Sequence, residues 1–259
     1  MRLSLVAVRT NTEIQPGIHL LELYAPQLAQ AAQPGHYCMV RCSPAGSSDP
    51  LLRRPFFLHG AERGRGTCTL LVHRLGRGSS WLAQQPPGAE IDLLGPLGHG
   101  WGIRSTTRNA LLVGDEQSFA SLTLLAAKAL EEELAVTMIC RADPQGTGYP
   151  PALLSPEIEY RVLTAEEQSE RGREQSLIDA LDEYLGWADA VYCSLEQETS
   201  RTLYQKYERL RGKQFAQGTL LQPLVCASGA CLMCGIGTAA GPKLLCRDGP
   251  VFDLRSIAR

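Results

Sequence analysis

The chain lacks any apolar run long enough to span a membrane. It also lacks a strong charge of either sign. At a net charge of −2 there is no basic surface of the kind that nucleic acid or an anionic membrane requires. No internal repeat or low-complexity tract occurs, which excludes solenoids and biased linkers. The opening stretch, Met1-Arg-Leu-Ser-Leu-Val-Ala-Val-Arg9, has neither the long apolar core nor the cleavage site of a signal peptide. It alternates Leu3, Leu5 and Ala7 and reads as a first strand. What remains is ordinary globular composition, 44% hydrophobic and 20% charged, over 259 residues, enough for one large or two modest domains.

Cysteine is the residue present in excess, and it is unevenly placed. Four of the nine fall in Cys226-Ala-Ser-Gly-Ala-Cys231-Leu-Met-Cys234 and Cys246, a C-x4-C-x2-C-x11-C pattern. The first three match the plant-type [2Fe–2S] spacing, which a distant fourth thiolate completes. Gly229, Gly235 and Gly237 supply a backbone free to wrap a cluster and aim N–H groups at sulfur. Zinc is the main alternative, although zinc ribbons usually carry two C-x2-C knuckles and only Cys231/Cys234 form one here. A disulfide framework is the other, against the expectation of a reducing cytoplasm. Cys38, Cys42, Cys68, Cys140 and Cys193 lie in apolar stretches and read as buried small hydrophobes.

The pattern along the chain divides it into three. Residues 1–103 show short apolar runs separated by Pro34-Gly35, Gly64-Arg-Gly66, Pro86-Pro-Gly88 and Gly95-Pro96, as in a small β-barrel, with one helix near Ser80–Gln84. Residues 104–215 alternate strand and helix: strands at Ala110–Gly114, Leu134–Cys140, Tyr160–Leu163 and Asp189–Cys193, helices at Phe119–Glu133, Leu177–Leu185 and Glu198–Arg211. That implies a doubly wound α/β domain with a parallel sheet. Residues 216–259 hold the cysteine loop.

This order resembles that of ferredoxin-reductase-like flavoproteins, and most closely the electron-transfer subunits of class B dihydroorotate dehydrogenases. Gly229-Ala-Cys231-Leu and Cys246-Arg-Asp-Gly-Pro-Val-Phe-Asp253 look like that family's own wording. The resemblance implies an FAD-binding barrel, an NAD-binding-like α/β domain and a [2Fe–2S] module on Cys226, Cys231, Cys234 and Cys246. It also implies a role in pyrimidine biosynthesis, beside an FMN-bearing catalytic subunit in a hetero-oligomer. Leu51-Leu-Arg-Arg54-Pro55-Phe56-Phe57 resembles the family's flavin stretch, which gives Arg54 the FAD diphosphate and Phe56 and Phe57 the flavin ring. By the same match Leu71, Val72 and His73 line the flavin, and Gly76-Arg-Gly78-Ser79-Ser80 resembles the Gly-x-Gly-Thr turn that nests the diphosphate. Gly95-Pro-Leu-Gly98-His-Gly100 resembles the barrel-closing turn. His59 and His99 show no partner and read as structural.

Two departures qualify the resemblance. The family's flavin-facing serine is here Phe57, whose ring donates no hydrogen bond. The glycine-rich first turn of the α/β domain reads Val113-Gly-Asp-Glu-Gln-Ser-Phe-Ala-Ser-Leu122, which puts two carboxylates where backbone meets diphosphate. A Gly-Asp-Glu turn also resembles that of siderophore-interacting flavin reductases, and Cys193-Ser194-Leu195 stands where the family has Cys-Gly-Pro. NAD(H) binding and an α/β frame that takes no nicotinamide are therefore both open. So are three roles: an NAD-linked dihydroorotate dehydrogenase subunit, a subunit of another redox complex, and a structural subunit.

Overall fold

The computed structural model describes residues 2–220 and 222–257. The first sheet contains β1 (Arg2–Gln15), β2 (Ile18–Tyr24), β3 (Tyr37–Val40), β4 (Arg54–Phe57), β5 (Gly60–Glu62), β6 (Thr67–His73) and β7 (Glu90–Leu97). All neighbours are antiparallel, in the order β4-β3-β7-β1-β2-β6-β5. The two end strands are separated only by Leu58 and His59. Leu58 N–H donates to the His36 carbonyl at 2.9 Å and His59 N–H to the Thr69 carbonyl at 3.0 Å. β4 and β5 are thus halves of one bent strand, and the sheet closes into the expected barrel.

Period-two alternation fills that barrel with Val6, Val8, Leu21, Leu23, Cys38, Val40, Leu70, Val72, Ile91 and Leu93. In β1 the phase is opposite to the one expected. Leu3 and Leu5 are 61% and 68% exposed, while Val6 and Val8 point inward. Two short helices cover the barrel: α1 (Pro26–Ala31), which the sequence reading missed, and α2 (Arg77–Ala83).

The second sheet runs β8 (Asn109–Asp115), β9 (Ala135–Arg141), β10 (Glu159–Leu163), β11 (Ala190–Ser194) and β12 (Ala216–Thr219), parallel in the order β10-β9-β8-β11-β12. Helix α3 (Ala120–Glu131) covers one face against Ala110, Leu112, Val136 and Met138. Helices α4 (Ala165–Arg171), α5 (Arg173–Tyr184) and α6 (Gln197–Lys206) follow β10 and β11. On the other face, Leu177 and Leu181 of α5 and Leu203 of α6 pack with Leu111, Val113 and Ile139. α4 was not expected, because its only buried residue is polar: Gln168, whose amide donates to the Ala142 and Leu163 carbonyls. The last expected helix is shorter than predicted, with Glu208–Arg211 forming a separate 3₁₀ turn.

After the cysteine loop come the hairpin β13 (Gly235–Thr238) and β14 (Gly241–Leu244), then α7 (Leu245–Asp248), β15 (Val251–Asp253) and α8 (Leu254–Ile257). β15 joins the second sheet antiparallel to β12. The final segment is therefore built into the α/β domain's edge rather than appended to it.

Candidate functional site

A cleft of about 520 Å³ opens where the barrel, the α/β domain and the cysteine segment meet. Eight of the ten residues expected to hold a flavin nucleotide line it: Arg54, Pro55, Phe56, Phe57, Leu71, His73, Gly78 and Ser79. Val72 does not, because alternation along β6 turns it into the barrel core. Ser80 does not either; it lies one residue deeper in α2.

Arg54 has the freedom its expected role needs. Its neighbour Arg53 is held by Asp92 at 2.7 Å and Arg77 by Asp49 at 2.6 Å, whereas Arg54 donates only to the Leu52 and Arg53 carbonyls. Among the described residues it has no carboxylate partner. Gly78 lets α2 approach: a Cβ there stands 3.2 Å from Cys42 Cβ and 3.6 Å from Arg54 Cγ. Ser79 Oγ accepts from the Leu75 and Gly76 N–H groups, which shapes the turn, while the first-turn N–H groups of α2 have no intrahelical acceptor. A free guanidinium, a helix first turn and two phenyl rings suit an aromatic ring system carrying a diphosphate.

The cysteine segment walls the same cleft. Leu224, Leu245 and Pro250 line it, facing Tyr37 of β3. The buried Tyr37 hydroxyl donates to the Cys246 carbonyl at 3.3 Å, so one side chain touches both the cleft and the cysteine loop. Burial first, then the nearby thiols of Cys246, Cys234 and Cys226, push its phenol well above the ordinary range. His99, expected to be unpartnered, stitches the same junction through the Arg247 carbonyl (2.9 Å). His59 likewise has partners, Thr69 at 3.0 Å and Tyr149 at 2.6 Å.

The four expected cysteines come together as two pairs. Cys231 N–H points at Cys226 Sγ and Cys246 N–H at Cys234 Sγ, each at 3.5 Å. The Cys231 N–H, followed by the hydroxyl and N–H of Ser228, draws the Cys226 thiol down to about 5. Burial, followed by the adjacent Cys234, pushes Cys246 up. A [2Fe–2S] cluster takes two thiolates on each of two irons. The pairing therefore fits the binuclear cluster. All nine thiols are free, so no disulfide framework is present. The backbone that turns this loop differs in part from expectation. Gly229 (φ 81°) is needed, but Gly235 and Gly237 are strand residues, and Ala227 and Leu232 take the other left-handed positions.

A second crevice, about 540 Å³, lies outside the carboxyl ends of β8, β9 and β11, where strand order reverses. The turn after β8 is a 3₁₀ turn, Glu116–Ser118, and not an open glycine loop. Asp115 accepts from Arg141 Nε at 2.5 Å and from the Glu196 N–H at 3.1 Å. Ser118 Oγ donates to the Ser194 carbonyl at 2.5 Å, tying the turn to β11. Glu116 is 3% exposed and stands 3.4 Å from His73 Nδ1, in the wall between crevice and cleft. Burial, with Asp143 nearby, raises its carboxyl to about 7, and burial lowers His73.

Comparison with known proteins agrees with this architecture. Residues 222–258 match the family model for the iron–sulfur cluster binding domain of dihydroorotate dehydrogenase B. Over 92% of its length the chain is similar to the dihydroorotate dehydrogenase B (NAD(+)) electron transfer subunit of Desulforamulus reducens, at 26% identity over 249 residues and 92% of that chain. Among solved structures, an NADH-dependent reduced ferredoxin–NADP oxidoreductase described in terms of flavin-based electron bifurcation aligns with TM-score 0.76 at 20% identity. That alignment covers 98% of this chain and 90% of the other. Phthalate dioxygenase reductase, described as a modular structure for electron transfer from pyridine nucleotides to [2Fe–2S], aligns at 0.61 and 18%, over 83% and 66%. The shared fold is ferredoxin-reductase-like. Among the described residues no helix is long and apolar enough to cross a membrane.

Proposed function

We propose that this chain, ferredoxin-reductase-like in fold and similar throughout to the electron transfer subunits of dihydroorotate dehydrogenase B, is itself an oxidoreductase electron-transfer subunit. It holds FAD in the cleft and a [2Fe–2S] cluster on Cys226, Cys231, Cys234 and Cys246. It passes electrons between a dihydroorotate dehydrogenase-like FMN subunit and NAD or another carrier, in a hetero-oligomer within a reducing cytoplasm. We divide it at 1–103 for FAD, 104–215 for the nucleotide-type domain and 216–259 for the cluster, with β12 shared between the last two.

One observation carries the reading: a single cleft is walled by the flavin-type residues and by the segment that carries the paired cysteines. FAD accepts or gives electrons in pairs or singly, and the cluster carries one at a time. The chain's own residues do the placing. Arg54 and the first turn of α2 bind the diphosphate, and Phe56, Phe57 and Leu71 exclude water from the ring. Tyr37 fixes the Cys246 backbone against the cleft. His73, with Glu116 behind it, holds an exchangeable proton at the cleft wall, where Phe57 offers none. The second reading, a subunit of the same fold serving another redox complex, is favoured by the charged turn after β8.

The test is an absorption spectrum of anaerobically purified protein. Flavin and iron–sulfur bands are expected together, and their joint absence sinks the reading. Cys231→Ser is expected to abolish the reduced-state EPR signal and to leave flavin absorbance in place, because Cys231 is exposed and packs against little. An unchanged EPR spectrum refutes the ligand assignment.

A further inference from the structure

The second crevice is where an open α/β sheet places a dinucleotide, with the diphosphate at a helix N-terminus. Here that arrangement already holds an anion. Arg141, 2% exposed at the end of β9, directs its Nε at Asp115. The Glu196 N–H, at the N-cap of the ten-residue helix α6, donates to the other Asp115 oxygen. A buried guanidinium and a helix N-terminal amide are the donors a diphosphate would take, and both are spent on one carboxylate of the same chain.

The surroundings reinforce this. Asp115, Glu116, Asp143 and Glu196 line the crevice against Arg141 and Arg173, four carboxylates to two guanidiniums, and Arg141 is already paired. The turn cannot swing out easily. Ser118 is bonded to the Ser194 carbonyl, Ser121 Oγ donates to Ser194 Oγ at 2.8 Å, and Ser194 Oγ meets Thr219 Oγ1 at 2.9 Å. Gly114, the one glycine kept, serves packing: a Cβ there falls 3.0 Å from Leu122 and 3.2 Å from the Ser194 carbonyl.

We infer that Asp115 is a built-in substitute for the dinucleotide's diphosphate, so that this crevice takes no nicotinamide dinucleotide and the electrons of the proposed function pass to the other carrier. The inference deepens the electron-transfer reading and rests on it for the second clause alone. It sets the chain apart from relatives whose names carry NAD(+). No hydride enters or leaves the α/β domain.

Two measurements on the holoprotein test it. In an anaerobic titration, millimolar NADH or NADPH is expected to leave the flavin bands unbleached, while dithionite bleaches them. Calorimetry with ADP-ribose is expected to show no binding at about 0.1 mM. Asp115→Ser frees Arg141 and the α6 amide and is expected to gain about tenfold in ADP-ribose affinity, and Arg141→Gln on that background is expected to remove the gain. Bleaching by either nucleotide, or wild-type binding of ADP-ribose below about 0.1 mM, overturns the inference. So does an Asp115→Ser protein that keeps its flavin and gains nothing. Calorimetry does not depend on bound cofactors, so absence of flavin and iron–sulfur bands counts against the parent reading alone.

Discussion

Glu116 shows how much one residue changes when a glycine-type turn becomes acidic. Its carboxyl is 3% exposed, one oxygen has no hydrogen-bond partner, and the groups facing it are His73, Asp143, Cys140 and Tyr160. Burial raises it from 4.5 to about 7, so in this range the folded protein binds a proton that the unfolded chain has released. Stability from this group is therefore full below about pH 4.5 and is lost as pH rises through about 7. The loss amounts to at most about 3 kcal/mol. Glu116→Gln, which cannot ionise, is expected to flatten that part of the profile. The difference in Tm between variant and wild type should be small at pH 5 and should grow towards pH 8 in the variant's favour. A difference independent of pH removes the titration from Glu116. At this scale the sequence was most informative where chemistry dictates residue type. The four cysteines stand out because iron selects thiolates at that spacing, whereas Arg54 stands out only through the resemblance of its stretch to a flavin motif, in which a guanidinium suits the diphosphate. Glu116 and Asp115 were visible as departures, but their partners His73 and Arg141 lie 43 and 26 residues away, beyond any local pattern.

Among elements, the end of β7 matters most for joining the parts. Gly98, at φ 86°, brings the barrel against the cysteine segment so closely that a Cβ would stand 2.6 Å from Pro250 Cδ, 2.8 Å from the Gly249 carbonyl and 2.9 Å from Tyr37 Cε1. His99 N–H then donates to the Gly249 carbonyl at 2.6 Å. Gly98→Ala combines a strained backbone with a clash on two sides and is expected to cost about 2–3 kcal/mol. Gly237→Ala, in β13 with nothing within 4 Å, is the control and should stay within about 0.5 kcal/mol. Denaturant melts of the two variants check the contrast, and equal stabilities remove the argument for a tight junction. Strand alternation and the longer helices were readable because burial imposes a period. α4 was not, because it buries a glutamine, and the phase of β1 was not, because Leu3, Leu5, Val6 and Val8 offer apolar residues to both faces.

In the whole molecule, three segments legible as consecutive in sequence are interlocked in space. Trp101 Nε1 donates to the Ser121 carbonyl at 2.8 Å and Thr123 Oγ1 to the His59 carbonyl at 2.6 Å, binding barrel to α3. β15 completes the second sheet beside β12, and the Tyr37–Cys246 contact and the His99–Gly249 bond tie the last segment back to the barrel. None of these pairings follows a period, and the Tyr37–Cys246 contact spans 209 residues, so the order of parts was readable but the contacts that lock them together were not. The physical consequence is cooperative. Opening the cleft exposes Leu224, Leu245 and Pro250 together with the flavin-facing wall, so one part cannot melt while its neighbours keep their buried surface. On slow anaerobic heating, flavin release (fluorescence) and cluster loss (visible absorbance) are accordingly expected within a few degrees of each other. Cys231→Ser, which removes cluster binding free energy from the folded state alone, should bring flavin release to a lower temperature. Two well-separated transitions in the wild type, or an unmoved flavin transition in the variant, would show that the cysteine segment hangs from the fold without supporting it.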